Sequence, residues 1–178
     1  TRKQIRAEVE EAGRAPHGIS GELVYPGICR ELDADESAYR AGRGEPFAWR
    51  LNVARSLAFT GEVWWYDCRA GWIQADPAAL GDVVIARKDV PTSYHLAVTI
   101  DDASQGVTLG TRGEDLFHAT HVHRLLQALL ELPTPRWYHH NLLADSSGQR
   151  MSKRNRAVTL RHLRDSRKTP DDIWRMIG

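Results

Sequence analysis

Apolar positions in the first half of the chain come in short runs rich in aromatic and β-branched residues, separated by turn residues. This pattern predicts antiparallel strands, over Phe47–Val53, Glu62–Tyr66 and Asp82–Arg87. A short helix is expected over Asp35–Arg40. Trp64, Trp65 and Trp72 are predicted to pack the small sheet, because large aromatic side chains supply much of the area that a small core buries.

The pattern changes after about position 92. Val107–Thr111 is typical of a buried strand, and Asp115–Leu132 has apolar residues at helical spacing, namely Leu116, Val122, Leu125, Leu126, Leu129 and Leu130. Trp137–Leu143 is predicted as a strand, and the chain from Thr159 onward as helical. Strand, helix, strand, loop and helix in this order indicate a parallel α/β unit. By propensity alone, Tyr94–Ile100 is also predicted as a strand.

Length and composition indicate a globular protein of one ordinary domain, or of one domain with a small insert. The chain has 178 residues, of which 42% are hydrophobic and 26% charged, and its net charge is +1. Two cysteines argue against a disulfide framework and favour the reducing cytoplasm, and no apolar run approaches the roughly 20 residues that cross a bilayer. Basic charge is concentrated in residues 150–168, with eight Arg or Lys and one acidic residue.

A basic loop near the C-terminus is the strongest candidate for phosphate chemistry. It follows a glycine-containing segment and consists of Arg150, Met151, Ser152, Lys153 and Arg154. The Lys153 ammonium can follow the charge that develops on a triphosphate when its α-phosphorus is attacked. The alternative is an ordinary solvated basic loop.

Arg112 and Tyr94 are candidates for substrate binding. Arg112 stands at the end of a predicted strand, where ligands bind in open α/β sheets, and its planar fork suits a carboxylate or phosphate. It could instead pair with Glu114 or Asp115 at the surface. The Tyr94 hydroxyl could fix a polar ligand, although a lone tyrosine is more often a packed core residue.

Tyr25 and Cys29 stand four positions apart and could supply two ligands of a metal site. A cysteine is a natural zinc ligand, tyrosine is a rare one, and a zinc site needs about four. The alternative is a purely structural cysteine.

The histidines are concentrated between positions 118 and 140. Three of them share one predicted helix and are interpreted as surface or packing residues: His118, His121 and His123. His139 and His140 could approach a nucleotide or lie in the core. The adjacent Asp101 and Asp102 could act as an acid/base or metal pair, although such pairs more often cap or turn the chain.

Five segments in order carry a family resemblance: Tyr94–Val98, Asp101-Asp102, Gly106–Thr108, Arg112–Leu116 and Gly148–Arg154. Together they resemble the class I glutamyl-tRNA synthetase group, over roughly residues 1–165. The resemblance implies an α/β fold, namely the C-terminal part of a Rossmann-like catalytic domain with a small inserted β-containing subdomain. It also implies that Tyr94–Ile100 is helical.

The same resemblance implies site residues. Arg150–Arg154 is similar to the KMSKS signature, with ATP bound by Arg150, Met151, Ser152, Lys153 and Arg154, and with Lys153 as the catalytic residue. Tyr94 and Arg112 match positions that hold the substrate glutamate. ATP, Mg²⁺ and Zn²⁺ are the implied small partners, and Tyr25 with Cys29 resembles half of a zinc knuckle.

The implied domain plan has three parts. Residues 1–30 form a partial zinc-knuckle region, 31–91 an inserted subdomain with short antiparallel strands, and 92–178 the second half of the catalytic domain with the KMSKS-like loop. The HIGH motif of class I synthetases does not occur in the sequence. We therefore expect it, together with a Cys-x-Cys pair of zinc ligands, upstream of Thr1.

Two branches of the group compete. One is the discriminating glutamyl-tRNA synthetase, and the other is its truncated paralogue, glutamyl-Q tRNA(Asp) synthetase. Ala103–Thr108, Arg112–Leu116 and Ser152–Asn155 resemble the paralogue more. That branch implies transfer of activated glutamate to the queuosine base of tRNA(Asp), by a cytoplasmic monomer without membrane contact. The alternatives are a fragment of the discriminating enzyme and a non-catalytic RNA-binding module that uses residues 150–168.

Overall fold

The structure is a computed structural model and describes residues 24–44, 47–88, 90–144 and 159–177. The described residues fall into two compact units. The larger runs to Arg112 and again from Leu116 to His139, and the smaller holds Gly113–Asp115 and the residues from His140 onward. None of the helices in these ranges combines the length and apolar character that a membrane span requires.

Helices and strands are interspersed along the larger unit. The first elements are α1 (Ala34–Gly42), β1 (Ala48–Arg50), α2 (Val53–Thr60), β2 (Trp64–Asp67), β3 (Gly71–Gln74) and β4 (Val84–Arg87), with a 3-10 turn at Pro77–Leu80. They are followed by α3 (Tyr94–Ser104), β5 (Leu109–Gly113), a 3-10 turn at Glu114–Leu116, α4 (Phe117–Leu129) and β6 (Arg136–His140). The strands and helices therefore have the mixed α/β order that the sequence predicts.

Strands β1 and β4 form a separate two-stranded antiparallel sheet, with Ala48 opposite Arg87. The buried Asp82, just before β4, bonds to two neighbouring segments. Its Oδ1 accepts a hydrogen bond from Val53 N at 3.0 Å, and its Oδ2 pairs with Arg30 Nη2 at 2.7 Å. One carboxylate therefore ties the start of α2 to the segment before α1.

In the part of the chain that the structure describes, the main sheet has four strands in the order β3-β2-β6-β5. β2 pairs with β3 as an antiparallel hairpin and with β6 in parallel, with Asp67 opposite Trp137. β2 therefore belongs to the same sheet as β6 and not to a separate small sheet. The pairing of β2 with β6 joins residues on both sides of the domain boundary predicted at position 91. The domain boundaries themselves remain predictions.

The core lies where α4 packs against this sheet. Trp65, Val122 and Leu125 are 0% exposed, and Trp137 is 1% exposed. The two indole rings meet edge to face with centroids 5.5 Å apart, which is a favourable aromatic geometry. The prediction that three tryptophans pack the sheet is right for Trp65 but wrong for Trp64 and Trp72, which are 46% and 70% exposed.

Helix α3 covers the stretch that propensity predicts as a strand. That prediction is wrong, and the helix implied by the family resemblance is confirmed. Ser93 caps the helix through a hydrogen bond from Leu96 N to its Oγ, which satisfies one of the free donors at a helix start. α3 also packs against α4 and buries Thr99. Capping and packing together outweigh the β preference of the Tyr, Val, Thr and Ile side chains.

The described part of the smaller unit includes α5 (Leu160–Asp165) and α6 (Pro170–Ile177). Thr159 Oγ1 caps α5 by accepting from His162 N at 3.1 Å. Thr169 and Asp172 bond reciprocally before α6, each accepting from the backbone N–H of the other. This is the capping-box arrangement, and the helical prediction from Thr159 onward is confirmed.

Candidate active site

Arg112 lies near the end of β5 and points its guanidinium at a buried histidine of α4. Its Nη1 is 2.9 Å from His123 Nδ1, and its side chain is 9% exposed. Among the described residues, Asp102 is the one whose carboxylate lies within 4 Å of the Arg112 guanidinium. The distance between Asp102 Oδ2 and Arg112 Nη2 is 3.8 Å, which is long for an ion pair. The predicted surface alternative, pairing with Glu114 or Asp115, is not what the structure has. Arg112 therefore keeps donors for a further anion.

His123 continues the contact to α3. Its Nε2 is 3.1 Å from His95 Nδ1. Tyr94 stands next to His95, and the Tyr94 ring meets the His95 and His123 rings at centroid distances of 5.8 and 5.6 Å. The structure thus brings Tyr94 and Arg112, eighteen positions apart in sequence, to the same histidine pair. Tyr94 itself is 51% exposed, so the cluster opens to solvent at the phenol.

The electrostatics of the cluster keep both histidines neutral. Burial, with help from the Arg112 charge and the neighbouring His95 and His139, lowers the pKa of His123 to about 2. Burial also lowers the pKa of His95. A neutral imidazole can accept from Arg112, whereas an imidazolium would repel it. The guanidinium is therefore the fixed positive charge of this site.

His139 is buried in the core, in a second cluster of polar side chains. His139 Nδ1 lies 2.7 Å from Asp67 Oδ2, and its Nε2 lies 3.1 Å from Thr120 Oγ1. All three residues are at least 97% buried, since Asp67 is 1%, His139 3% and Thr120 0% exposed. Of the two roles predicted for His139, the core role is the one that the structure has.

Tyr25 and Cys29 do come together. Cys29 N donates to Tyr25 Oη at 2.8 Å, and the Arg50 guanidinium lies 4.2 Å from the centre of the Tyr25 ring. Burial is the main cause that raises the pKa of Tyr25, and the Cys29 side chain adds to the shift. Among the described residues, no group of three or more His, Cys, Asp and Glu side chains could hold a metal ion.

The KMSKS-like loop lies outside the described residues, which stop at 144 and resume at 159. The assignments of Arg150, Met151, Ser152, Lys153 and Arg154 to ATP, and of Lys153 to catalysis, stay predictions. The adjacent Asp101 and Asp102 lie on α3, where Asp102 is the residue that approaches Arg112.

Sequence reasoning missed His95 and His123 as members of the site. A signal for His123 was present, because it falls four residues after Ala119 and three before Leu126, in phase with the buried face of α4. A polar side chain on such a face needs a hydrogen-bond partner. Nothing comparable marks His95, whose partner is recognisable only after α3 and α4 are packed together.

Comparison with known proteins identifies the family of the chain. The family model "tRNA synthetases class I (E and Q), catalytic domain" matches residues 4–177. Similar relatives are named glutamyl-Q tRNA(Asp) synthetase. The one from Rhodobacter capsulatus is 43% identical over 97% of this chain and 64% of its own length, and the one from Leptothrix cholodnii is 45% identical over 89% and 51%. The chain thus spans about half to two thirds of the length of these relatives.

Solved structures give the same result at the level of the fold. The glutamate-tRNA synthetase of Elizabethkingia anophelis matches 86% of this chain and 30% of its own, at a TM-score of 0.63 and 25% identity. A glutamate tRNA ligase of Elizabethkingia meningosepticum in complex with its amino acid matches at a TM-score of 0.62. Both the fold class and the family resemblance drawn from the sequence are confirmed. The chain belongs to the family of class I tRNA synthetases (E and Q), which it matches in the catalytic domain.

Proposed function

We propose that this chain takes part in ATP-dependent activation of glutamate and in transfer of the glutamyl group to the queuosine base of tRNA(Asp). The glutamate carboxylate would attack the α-phosphorus of ATP, releasing pyrophosphate and forming glutamyl-adenylate. The adenylate would then react with queuosine and release AMP. The relatives from Rhodobacter capsulatus and Leptothrix cholodnii that carry the glutamyl-Q tRNA(Asp) synthetase name support this branch over the discriminating enzyme.

The observation that carries the proposal is the shared environment of Arg112 and Tyr94. The Arg112 guanidinium is largely buried, and among the described residues its one carboxylate neighbour within 4 Å is Asp102, at 3.8 Å. This environment suits an anionic substrate, because a desolvated charge needs a partner. We assign Arg112 to a glutamate carboxylate. Tyr94 is half-exposed, and its hydroxyl would donate a hydrogen bond to the same substrate from the solvent side.

Lys153 would act on ATP. Its ammonium would stabilise the charge on the phosphates as pyrophosphate departs, and Arg150, Met151, Ser152 and Arg154 would complete the loop that binds the nucleotide. Mg²⁺ would be bound largely by the phosphates themselves, as is usual for this ion.

Tyr25 and Cys29 would hold Zn²⁺ as two of its ligands. The pair fits a structural role because the hydrogen bond to Tyr25 Oη closes the turn and brings the two residues together. Since zinc takes about four ligands, the others would come from outside the described residues. Zinc content of the purified protein, compared with that of Cys29→Ser, tests this part by itself, and equal zinc in both would remove Cys29 as a ligand.

Glutamate-dependent ATP/pyrophosphate exchange by the full-length protein tests the activation step. Lys153→Ala should reduce exchange by about a hundredfold or more, as expected when a group that stabilises transition-state charge is removed. Lys168→Ala, another lysine of the basic segment, is the matched control and should retain exchange. Unchanged exchange in Lys153→Ala would refute the role of this lysine.

The acceptor is tested separately with two forms of tRNA(Asp). We expect radiolabelled glutamate to be transferred to tRNA(Asp) that carries queuosine and not to the same tRNA with unmodified guanosine. Delivery of glutamate to the terminal adenosine of tRNA(Glu) would instead place the chain in the discriminating branch. RNA binding without any amino-acid activation would favour the non-catalytic alternative.

A further inference from the structure

His123 and His95 form a hydrogen-bonded chain that begins at Arg112. A guanidinium has donors only, so His123 Nδ1 accepts from Arg112 Nη1 across 2.9 Å. His123 is 2% exposed and neutral, so it holds its single ring proton on Nε2 and donates it to His95 Nδ1 across 3.1 Å. His95 then keeps its own proton on Nε2. One arrangement of protons satisfies every contact in the chain.

This chain links the three elements that carry the candidate glutamate site. Arg112 lies on β5, His123 on α4, and His95 on α3 beside Tyr94. The Tyr94 ring rests edge-on against both imidazoles. Thr99 Oγ1 also donates to His95 O at 2.8 Å, which fixes the backbone that carries this ring. The orientations of the guanidinium and the phenol therefore depend on the same two rings.

We propose that His123 and His95 are positioning residues for the amino-acid substrate. By accepting from Nη1 of Arg112, His123 fixes the plane of the guanidinium and leaves its other donors for the substrate carboxylate, and His95 in turn holds the His123 ring. Neither histidine touches the substrate in this role. The inference rests on the proposed function, because it takes glutamate as the anion that Arg112 binds. Small errors in such an orientation are costly, since bidentate recognition depends on geometry.

Two substitutions of His123 in the full-length protein separate positioning from simple packing. The amide of His123→Gln can accept from Arg112 through its oxygen and donate to His95 through its nitrogen, whereas His123→Leu can do neither. In ATP/pyrophosphate exchange, His123→Leu should raise the KM for glutamate about tenfold or more, as expected when a charge-assisted hydrogen bond is lost. His123→Gln should stay within about threefold of the parent, and the KM for ATP within about twofold in both.

His162→Leu is the control for adding a leucine in place of a histidine, because His162 is exposed on α5. It should leave the KM for glutamate unchanged. If His123→Leu fails to fold, His95→Leu and His95→Gln repeat the comparison at the other end of the chain. In His95→Gln, the oxygen of the new amide can still accept from His123 Nε2, whereas the leucine of His95→Leu cannot.

A spectroscopic measurement tests the chain without relying on activity. Long-range ¹H–¹⁵N correlation spectra of the imidazole rings should show His123 and His95 both as the neutral tautomer with the proton on Nε2. A proton on Nδ1 of His123 would overturn this inference but leave the proposed function intact. An unchanged KM for glutamate in His123→Leu would do the same. Absence of glutamate-dependent exchange in the parent protein would instead overturn the proposed function, and this inference with it.

Discussion

Two histidine-centred clusters in the larger unit use the same side chain in opposite ways. His139 faces the carboxylate of Asp67, so its Nδ1 is a donor. His123 faces the guanidinium of Arg112, so its Nδ1 is an acceptor. The sign of the charged neighbour decides which ring nitrogen carries the proton.

The clusters also differ in their access to solvent. Asp67, His139 and Thr120 are closed off, and the Asp67 carboxylate accepts from Arg69 N, Ala70 N, and the backbone N and ring Nδ1 of His139. The Arg112 cluster ends at the half-exposed Tyr94. A closed, fully paired polar cluster serves the fold, whereas an open one with spare donors can bind a ligand.

The largest expected effect comes from breaking the closed cluster. Asp67→Ala should lower the free energy of unfolding by about 3–5 kcal/mol, because it leaves buried donors without their acceptor. Urea unfolding measures this loss. Asp35→Ala, at an exposed aspartate of α1, should change the same quantity by about 0.5 kcal/mol at most. If Asp67→Ala raised the KM for glutamate and left the free energy of unfolding unchanged, the assignment of this cluster to the fold rather than to the substrate site would be wrong.

Breaking the open cluster should affect function first. Arg112→Lys keeps the charge but loses the planar fork, so kcat/KM for glutamate in ATP/pyrophosphate exchange should fall about thirtyfold, or about 2 kcal/mol. Arg136→Lys is the matched control, since Arg136 is exposed on β6 of the same sheet. Equal losses in the two variants would remove Arg112 from the substrate site.

The pH dependence of stability sharpens the comparison further. The pKa of His123 falls from 6.5 to about 2 on folding, so between these values the unfolded chain binds the extra proton and the folded chain does not. Stability therefore rises with pH in this window, by about 1.4 kcal/mol per pH unit, and levels off above it. Arg112, His95 and His139 are the charged or titratable groups that act on this ring.

Urea unfolding of the parent and of His123→Gln at about pH 4 and about pH 5.5 measures this slope. The variant should have a slope shallower by about 1.4 kcal/mol per pH unit, whereas His162→Gln, at an exposed position, should keep the parental slope. Parallel slopes for the parent and His123→Gln would show that His123 does not stay neutral in the folded protein.

The smallest effect should come from the exposed end of the open cluster. Tyr94→Phe keeps the ring that packs against both imidazoles and removes only the hydroxyl. The KM for glutamate should rise about fivefold, equivalent to one hydrogen bond of about 1 kcal/mol, while the free energy of unfolding stays unchanged. Tyr138→Phe, at another partly exposed tyrosine, is the control. A loss of stability without a change in KM would make Tyr94 a packing residue.

Much of the fold could be predicted from hydrophobic periodicity. The helical spacing of Val122, Leu125 and Leu126 correctly placed α4, since these residues are its buried face. The helix α2 was missed, because Val53–Thr60 is short and directly follows a strand pattern, although Asn52 caps it by accepting from Arg55 N. The expected buried strand at Val107–Thr111 is shifted to Leu109–Gly113 and is only partly buried.

The site was predictable only in part, for a physical reason. Arg112 and Tyr94 could be singled out because the local sequence and the family resemblance mark each one separately. Both residues contact His123, and the contact with Tyr94 depends on the packing of α3 against α4. This packing cannot be predicted from the sequence of either helix alone. Tertiary partners decide whether a histidine is a surface residue, a core residue or a support for a ligand-binding arginine.

The parallel pairing of β2 with β6 has a consequence for the order of folding. The bond between Asp67 and His139 closes a separation of 72 residues. The hairpin of β2 and β3 can therefore form locally, but it cannot settle into the sheet until β6 is available. Because closing long loops slows folding, we expect synthesis of β6, rather than formation of the helices, to time the appearance of the native core.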